Sequence, residues 1–305
     1  ENQVPFSYAL NGTNTQVNRP FNYMGSNILT VFSNALSNYN ALNLKAEKRL
    51  SAGLEFLANY SWQKNISSNG DGPDAYTQNG GTSIAMNTYD LAGERAVTPI
   101  NIKHTFSSSA SYELPFGPGR QFLNKNGIAS QFLGGWVVNG ILSLRTGFPT
   151  DIRTNVLPPV FNTFNVASCV PGVSMTVKNR GVDGFFNPAA FTVPGVTHSQ
   201  SGSVVQEFGN CGRRVATGPG SKNLDSSIFK NFYFTQSDRI YLQFRTEFFN
   251  TTNTPTFLLP SASDPTLTCQ GTPGSVCNSK NPNFGKLSNG QATGRQIQFS
   301  AKLYF

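Results

Sequence analysis

An all-β fold of long antiparallel strands, forming part of the wall of a transmembrane β-barrel, is what three features of this 305-residue chain predict. Apolar and polar residues alternate over seven long stretches. Charge is scarce, whereas aromatic and small polar residues are abundant. The connections between stretches alternate between short and long, as they do when strands cross a bilayer back and forth.

The alternation comes first because side chains on a strand point to opposite faces with period two. Residues 40–50 set Leu42, Leu44, Ala46 and Leu50 against Asn43, Lys45, Glu47 and Arg49. After a Ser51-Ala52-Gly53 turn, residues 54–64 set Phe56, Ala58, Tyr60 and Trp62 against Leu57, Asn59, Ser61 and Gln63. Residues 102–114 oppose Phe106, Ala110, Tyr112 and Leu114 to Thr105, Ser107, Ser109, Ser111 and Glu113. Residues 136–146 oppose Trp136, Val138, Leu142 and Leu144 to Asn139, Ser143 and Arg145. Residues 224–234 carry Leu224, Ile228, Phe232 and Phe234 opposite Asp225, Ser227 and Asn231. A Gln236-Ser237-Asp238 turn leads into 239–250, where Ile240, Leu242, Phe244 and Phe248 face away from Tyr241, Gln243, Arg245 and Glu247.

The tail, RQIQFSAKLYF (295–305), closes the set with Ile297, Phe299, Ala301, Leu303 and Phe305 on one side. Chain ends usually fray, so an apolar strand kept to a terminal aromatic needs a reason. Phe299, Ala301, Leu303 and Phe305 resemble the terminal-aromatic signal read by the barrel-assembly machinery of bacterial outer membranes. All seven stretches are about 11–13 residues long, against ~5–6 for soluble strands and ~9–11 for a tilted bilayer crossing.

The connections at 51–53 and 235–238 are short, 115–133 is moderate, and 65–101, 149–222 and 251–293 are long. Short turns on the periplasmic side and long loops outside are the outer-membrane pattern. In that arrangement the apolar set meets lipid. Lys45, Glu47, Arg49, Glu113, Arg145, Arg245, Glu247 and Lys302 then line a hydrated interior, where they escape the several kcal/mol cost of unpaired burial. Trp62, Tyr112, Trp136, Phe232, Phe234, Phe248 and Phe305 fall near strand ends, at headgroup level. Lys48 and Lys230 sit on the lipid side but near short turns, which their stems can reach.

Composition agrees. Charged residues are 12% of the chain, about half the roughly 25% of soluble domains. Aromatics are also 12%, which argues against disorder. The net charge of +8 is scattered, and its densest run, Lys45, Lys48 and Arg49, is interrupted by Glu47, so no nucleic-acid-binding patch forms. No stretch reaches the ~18 apolar residues of a membrane helix. The chain opens on Glu1 without a leader and is read as processed or truncated at its start.

Several stretches, in order, resemble the C-terminal barrel half of TonB-dependent outer-membrane receptors of the Oar-like group, which carry a carboxypeptidase-regulatory-like domain. They are 37–66, 101–123 (NIKHTFSSSASYELPFGPGRQFL), 134–152, FFNPAAF (185–191), GPGSKNLDSSIFKNF (218–232), 239–257 and the tail. The resemblance implies a barrel of about 22 strands with an N-terminal plug and a TonB-contacting segment. Only seven or eight strands are expected in this chain. It is therefore read as a C-terminal fragment, with 1–36 as loop or partial strand and 37–305 as barrel. The remaining strands and the plug are expected to be supplied upstream, because an open sheet edge is not viable in lipid.

The chemistry-bearing residues are few. Cys169, Cys211, Cys269 and Cys277 lie in loop-like sequence. Three pairings are possible, and pairing sequence neighbours is preferred because it staples two long loops. Two histidines, His104 and His198, and the absence of CxxC spacing argue against zinc. Residues 69–74 (NGDGPD) lack the alternation of a calcium loop. Gly117-Pro118-Gly119-Arg120 reads as a turn rather than a phosphate cradle. No catalytic constellation, cofactor site or metal site is expected, and the chain is read as non-enzymatic.

The long loop 149–222 holds Arg153, Lys178, Arg180, Arg213 and Arg214 against Asp183 and Glu207. Arg153, Arg180, Arg213 and Arg214 are the candidates for contact with an anionic ligand or lipopolysaccharide, the alternative being a solvated loop. Phe161, Phe164, Phe185, Phe186 and Phe191 would stack on a sugar or siderophore, or pack the loop internally. The favoured function is active, TonB-dependent uptake of a small ligand (siderophore, saccharide or peptide) through the intact outer-membrane protein. A passive porin-like or adhesin barrel and a secreted carbohydrate-binding β-sandwich are the alternatives.

Overall fold

The computed structural model describes residues 4, 6–11, 18–24, 36–68, 86–87, 89–125, 127–156, 165–234, 240–257, 265–287 and 294–305. The 69–74 stretch, Phe161, Phe164 and the 235–239 turn lie outside them.

Seven long strands form one antiparallel meander: β1 (Ser37–Ser51), β2 (Leu54–Ser67), β3 (His104–Glu113), β4 (Trp136–Arg145), β5 (Ser221–Tyr233), β6 (Tyr241–Phe249) and β7 (Gln296–Tyr304). Each pairs with its sequence neighbours, and Ala96–Val97 adds a short ladder to the far end of β2. The observed strands lie within about three residues of the sequence-derived bounds. The excess is at the long-loop end, where β1, β2 and β5 run on.

The register shows why the alternation matters. Leu44 pairs with Tyr60, Tyr60 with Phe106 and Phe106 with Leu144. Val138 pairs with Ile228, Phe232 with Leu242 and Leu242 with Leu303. One face is thus apolar across every strand, because a slip of one residue would send each set to the other side. The opposite face joins Asn59, Ser107 and Ser143, then Asn139, Ser227 and Glu247.

Among the described residues no second layer covers the apolar face. Phe299 is 69% exposed, and Leu42, Leu44, Ile297 and Leu303 are exposed too. A sandwich would bury this face against another sheet; here it is left uncovered. No described helix is long and apolar enough to cross a membrane. Strands of 9 to 15 residues do meet the ~9–11 needed. Among the described residues β1 pairs only with β2, and β7 only with β6, so both edges are open there and the described sheet is not closed into a barrel.

The β1–β2 turn is tight. Ala52 and Gly53 have φ of 52° and 78°, the positive pair of a mirror-image hairpin turn. A Cβ on Gly53 would stand 3.0 Å from the Glu113 carbonyl oxygen, and the Glu113 N–H donates to the Gly53 carbonyl.

Two connections hold more structure than their sequence announces. The moderate 115–133 connection contains helix α2 (Ile128–Leu133) after a turn in which the Arg120 N–H donates to the Gly117 carbonyl. Among the described residues of the opening segment is helix α1 (Phe6–Leu10). Val4, Phe6 and Leu10 pack on Val205 and Phe208, and this apolar contact with a distant loop is what orders them.

The buried core lies in the long loops, not in the sheet. Ile152, Ala167, Phe185, Phe186, Phe191 and Val193 of the 146–220 loop pack against Leu267, Cys269, Cys277, Phe284 and Leu287 of the 250–295 loop. Short ladders hold the two loops together: Thr268–Cys269 runs parallel to Arg153–Thr154, which pairs with Asn165–Val166.

Candidate functional site: a cross-linked cap and its basic groove

The cap is tied first by covalent bonds. Cys169 joins Cys211, and Cys269 joins Cys277, closing sequence separations of 42 and 8. The first bridge closes the segment of the 146–220 loop that contains Phe185, Phe186 and Phe191. These three rings are packed inward and are therefore unavailable for stacking on a solvent-borne ligand.

The second tie is ionic. Glu94 ends a 3₁₀ turn (Leu91–Glu94) capped by the Asp90 carboxylate, which accepts from the Gly93 N–H. Its Oε2 lies 2.5 Å from Arg213 Nη1, with side-chain exposures of 1% and 0%. Arg213 Nε also reaches Asp151 Oδ1 at 3.3 Å, and the Arg214 backbone N–H donates to that oxygen at 2.6 Å. Arg153 Nη2 stands 3.6 Å from Asp151 Oδ2. Arg214 Nε donates to the Val97 carbonyl, and Val97 is paired with Ile66 of β2. Three stretches far apart in sequence (86–97, 151–153 and 213–214) are thus fastened to one another and to the sheet.

Burial alone pushes the Asp151 carboxyl up. Arg213, the Arg214 N–H, Arg153 and the Arg214 charge outweigh it, so its pKa falls below the ordinary aspartate value.

Of the four candidate arginines, then, Arg213 and Arg214 are buried in this network, each 5% exposed overall. Their charges are satisfied internally, since an arginine sealed from water must be paired. Arg153 is partly buried beside Asp151, and Arg180 is exposed. Asp183 is exposed and Glu207 half-buried.

Arg180 borders a groove of about 420 Å³ where the cap meets the ends of β4 and β5. Arg145, Thr146 and Gly147 form one wall, Met175 and Arg180 another, and Gly218 and Gly220 contribute to the rest. Among the described residues no Asp or Glu lines it. Arg145 is oriented by Nε donating to Ser221 Oγ at 2.7 Å and by the Phe148 ring 5.5 Å from its guanidinium carbon. Arg180 lies over Phe185 at 5.8 Å. Two oriented guanidinium groups, with no carboxylate among the described lining residues, favour an anion.

Arg145 was legible only as an interior charge at a strand end. Its place in the groove depends on the approach of Gly218 and Gly220 from across the loop, which no local pattern announces. The same holds for Glu94 and Asp151, whose partners lie 119 and 62 residues away.

The remaining candidates lie apart. His104 accepts or donates at Nδ1 to Tyr60 OH at 2.8 Å on the apolar face, and His198 is exposed in a hairpin. Among the described residues no group of three or more His, Cys, Asp or Glu is placed to hold a metal. Phe299, Ala301, Leu303 and Phe305 run along the open edge at the apolar face, with Phe305 98% exposed.

A single-layer meander with one continuous apolar face and a cross-linked loop cap describes an outer-membrane wall. The model of the family described as outer membrane beta barrel domain matches residues 1–298, and the chain belongs to that family. It is accordingly an integral outer-membrane protein of bacterial type. Neither a curated protein nor a solved structure gave a match.

Proposed function

We propose that the chain is the wall and ligand-recognition cap of a TonB-dependent outer-membrane receptor that takes up a small anionic ligand. The long-loop end faces outward and the short turns face the periplasm. Further strands pair with the open edges of β1 and β7, and a plug from the same protein fills the interior and contacts TonB. The tail residues Phe299 to Phe305 serve as the signal to the barrel-assembly machinery. Outer-membrane lipid and lipopolysaccharide surround the wall.

The groove carries this reading. Its volume falls within the ~300–1,000 Å³ of small-molecule sites. Its walls are held by two disulfides and a buried ion network, so recognition needs little ordering of the loops. The ordered succession of receptor-like stretches supports coupling to TonB over passive flow.

Uptake of candidate anionic nutrients, measured in cells making the intact protein with and without TonB, tests it. Accumulation against a gradient only when TonB is present is expected. Equal, purely downhill entry in both strains would leave a passive barrel as the correct description.

A further inference from the structure

Helix α2 is inside out by the standards of a soluble protein. Its buried residue is Ser130, at 3% exposure, whereas Ile128, Phe132 and Leu133 are 78%, 64% and 57% exposed. A short helix normally turns its apolar side chains to the core and its serine to water. Here Ser130 is turned inward, the carbonyls of the helix end are fastened to the sheet, and the apolar side chains are left outside.

The fastening is specific. Lys230 Nζ donates to the carbonyls of Gln131 and Phe132, which a helix end leaves without intrahelical partners. Trp136 Nε1 donates to the same Phe132 carbonyl at 2.9 Å. Lys230 and Trp136 are cross-strand partners on β5 and β4, on the face that carries Val138, Ile228 and Phe244. The helix is therefore bound to the apolar, lipid-directed side of the sheet, at the short-turn end. At Gly134 the chain passes so close that a Cβ would lie 2.6 Å from Gly117 Cα and from the Ser130 carbonyl oxygen, which locks the helix exit onto the preceding turn.

We propose that α2 is an interfacial foot that inserts Ile128, Phe132 and Leu133 into the headgroup–acyl boundary of the periplasmic phospholipid leaflet. The patch is continuous with the lipid-directed face of the wall, and that continuity identifies its occupant. The apolar atoms enter hydrocarbon while Lys230 and Trp136 satisfy the helix end at the depth where lysine and tryptophan side chains settle. Exposed Lys125, just before the helix, is placed to meet lipid phosphate. The foot fixes the vertical position of β3 and β4, whose connection is the longest at that end among the described turns, and it is tied to β5 through Lys230. The inference rests on reading the sheet as a membrane wall and is independent of TonB coupling or ligand.

The test places a reporter indole by Phe132→Trp in the intact protein, reconstituted in phosphatidylethanolamine–phosphatidylglycerol vesicles. Its fluorescence is taken as the difference from the unsubstituted protein. Lipids brominated near the headgroup end of the chain are expected to quench it several-fold more than lipids brominated near the chain terminus, and acrylamide is expected to quench it weakly. Lys230→Met removes the charged tether, and acrylamide access should then rise while resistance of the wall to cold SDS persists. Strong acrylamide quenching in the parent background would show a foot in water. Shielding from both acrylamide and bromine would show a protein partner on the patch. Either result overturns the proposal. An indole that responds to shallow bromine in the Phe132→Trp protein, with the wall SDS-resistant, upholds it.

Discussion

Arg213 and Glu94 form a fully sealed ion pair at 2.5 Å between residues 119 apart in the chain, and it ties two different long loops. Removing one partner strands a buried carboxylate, whereas replacing the whole set removes the desolvation cost as well. Arg213→Met should therefore destabilise the cap by about 3–5 kcal/mol. Combining it with Glu94→Gln and Asp151→Asn should recover much of that loss. Hydrogen exchange of the 86–97 and 207–217 amides reads this; equal protection in the single variant and the parent would deny the pair its structural role.

Asp151 sets the acid limit of the cap. Its pKa is lower in the folded cap than in the unfolded chain, because Arg213, Arg153 and Arg214 outweigh burial. Its contribution is full above the ordinary aspartate value of about 3.9 and declines as pH falls towards and through the depressed folded value. The parent cap should lose protease resistance in that acid window. In Asp151→Asn the step attributable to this group should vanish, with resistance already lowered at neutral pH. A step of unchanged size in the variant would assign the acid sensitivity elsewhere.

The wall was legible in the sequence because period-two alternation is a local signal. Leu42, Leu44 and Ala46, or Phe299, Ala301 and Leu303, announce a face without knowledge of any neighbour, and the observed register joins those faces. The cap was not legible in the same way. Arg213 and Arg214 read as solvent-facing ligand contacts because their partners, Glu94 and Asp151, lie in other segments. Phe185, Phe186 and Phe191 carry no periodicity that distinguishes a packed ring from a ligand-stacking one, and the structure packs them. Helix α2 escaped notice because six residues hold too little helical pattern to separate from a turn. Lys230, noted as a lipid-side lysine near a short turn, turned out to hold that helix.

The two disulfides should differ in weight. Loop-closure entropy predicts about 4 kcal/mol for the 42-residue separation of Cys169–Cys211 and about 2.5 kcal/mol for the 8-residue one of Cys269–Cys277. Cys169→Ser with Cys211→Ser should therefore open the 149–222 loop to proteolysis more than Cys269→Ser with Cys277→Ser opens the 251–293 loop. Both bridges border the same apolar cluster, so partial loosening of each loop by the other's loss is expected as well. The reverse ranking would mean that native-state packing, and not chain entropy, dominates their effect.

The groove makes the sharpest demand on the proposed ligand class. Among the described residues Arg145 and Arg180 line it without a carboxylate, whereas Lys178 is exposed and does not line it. A charge-assisted hydrogen bond contributes about 1.5–3 kcal/mol, which is about tenfold to hundredfold in affinity. Arg180→Gln and Arg145→Gln should each weaken binding of a phosphate probe by that factor, and Arg180→Glu should weaken it further by repulsion. Lys178→Gln, which removes the same charge from the same hairpin, should leave binding within a factor of about two, as a solvent-screened charge does. Calorimetric titration at two ionic strengths separates the cases: a specific groove loses affinity only with the two arginines, while diffuse attraction to the basic cap loses it equally with Lys178. Equal losses would remove the groove as the recognition site and leave the cap as a general anionic-surface contact.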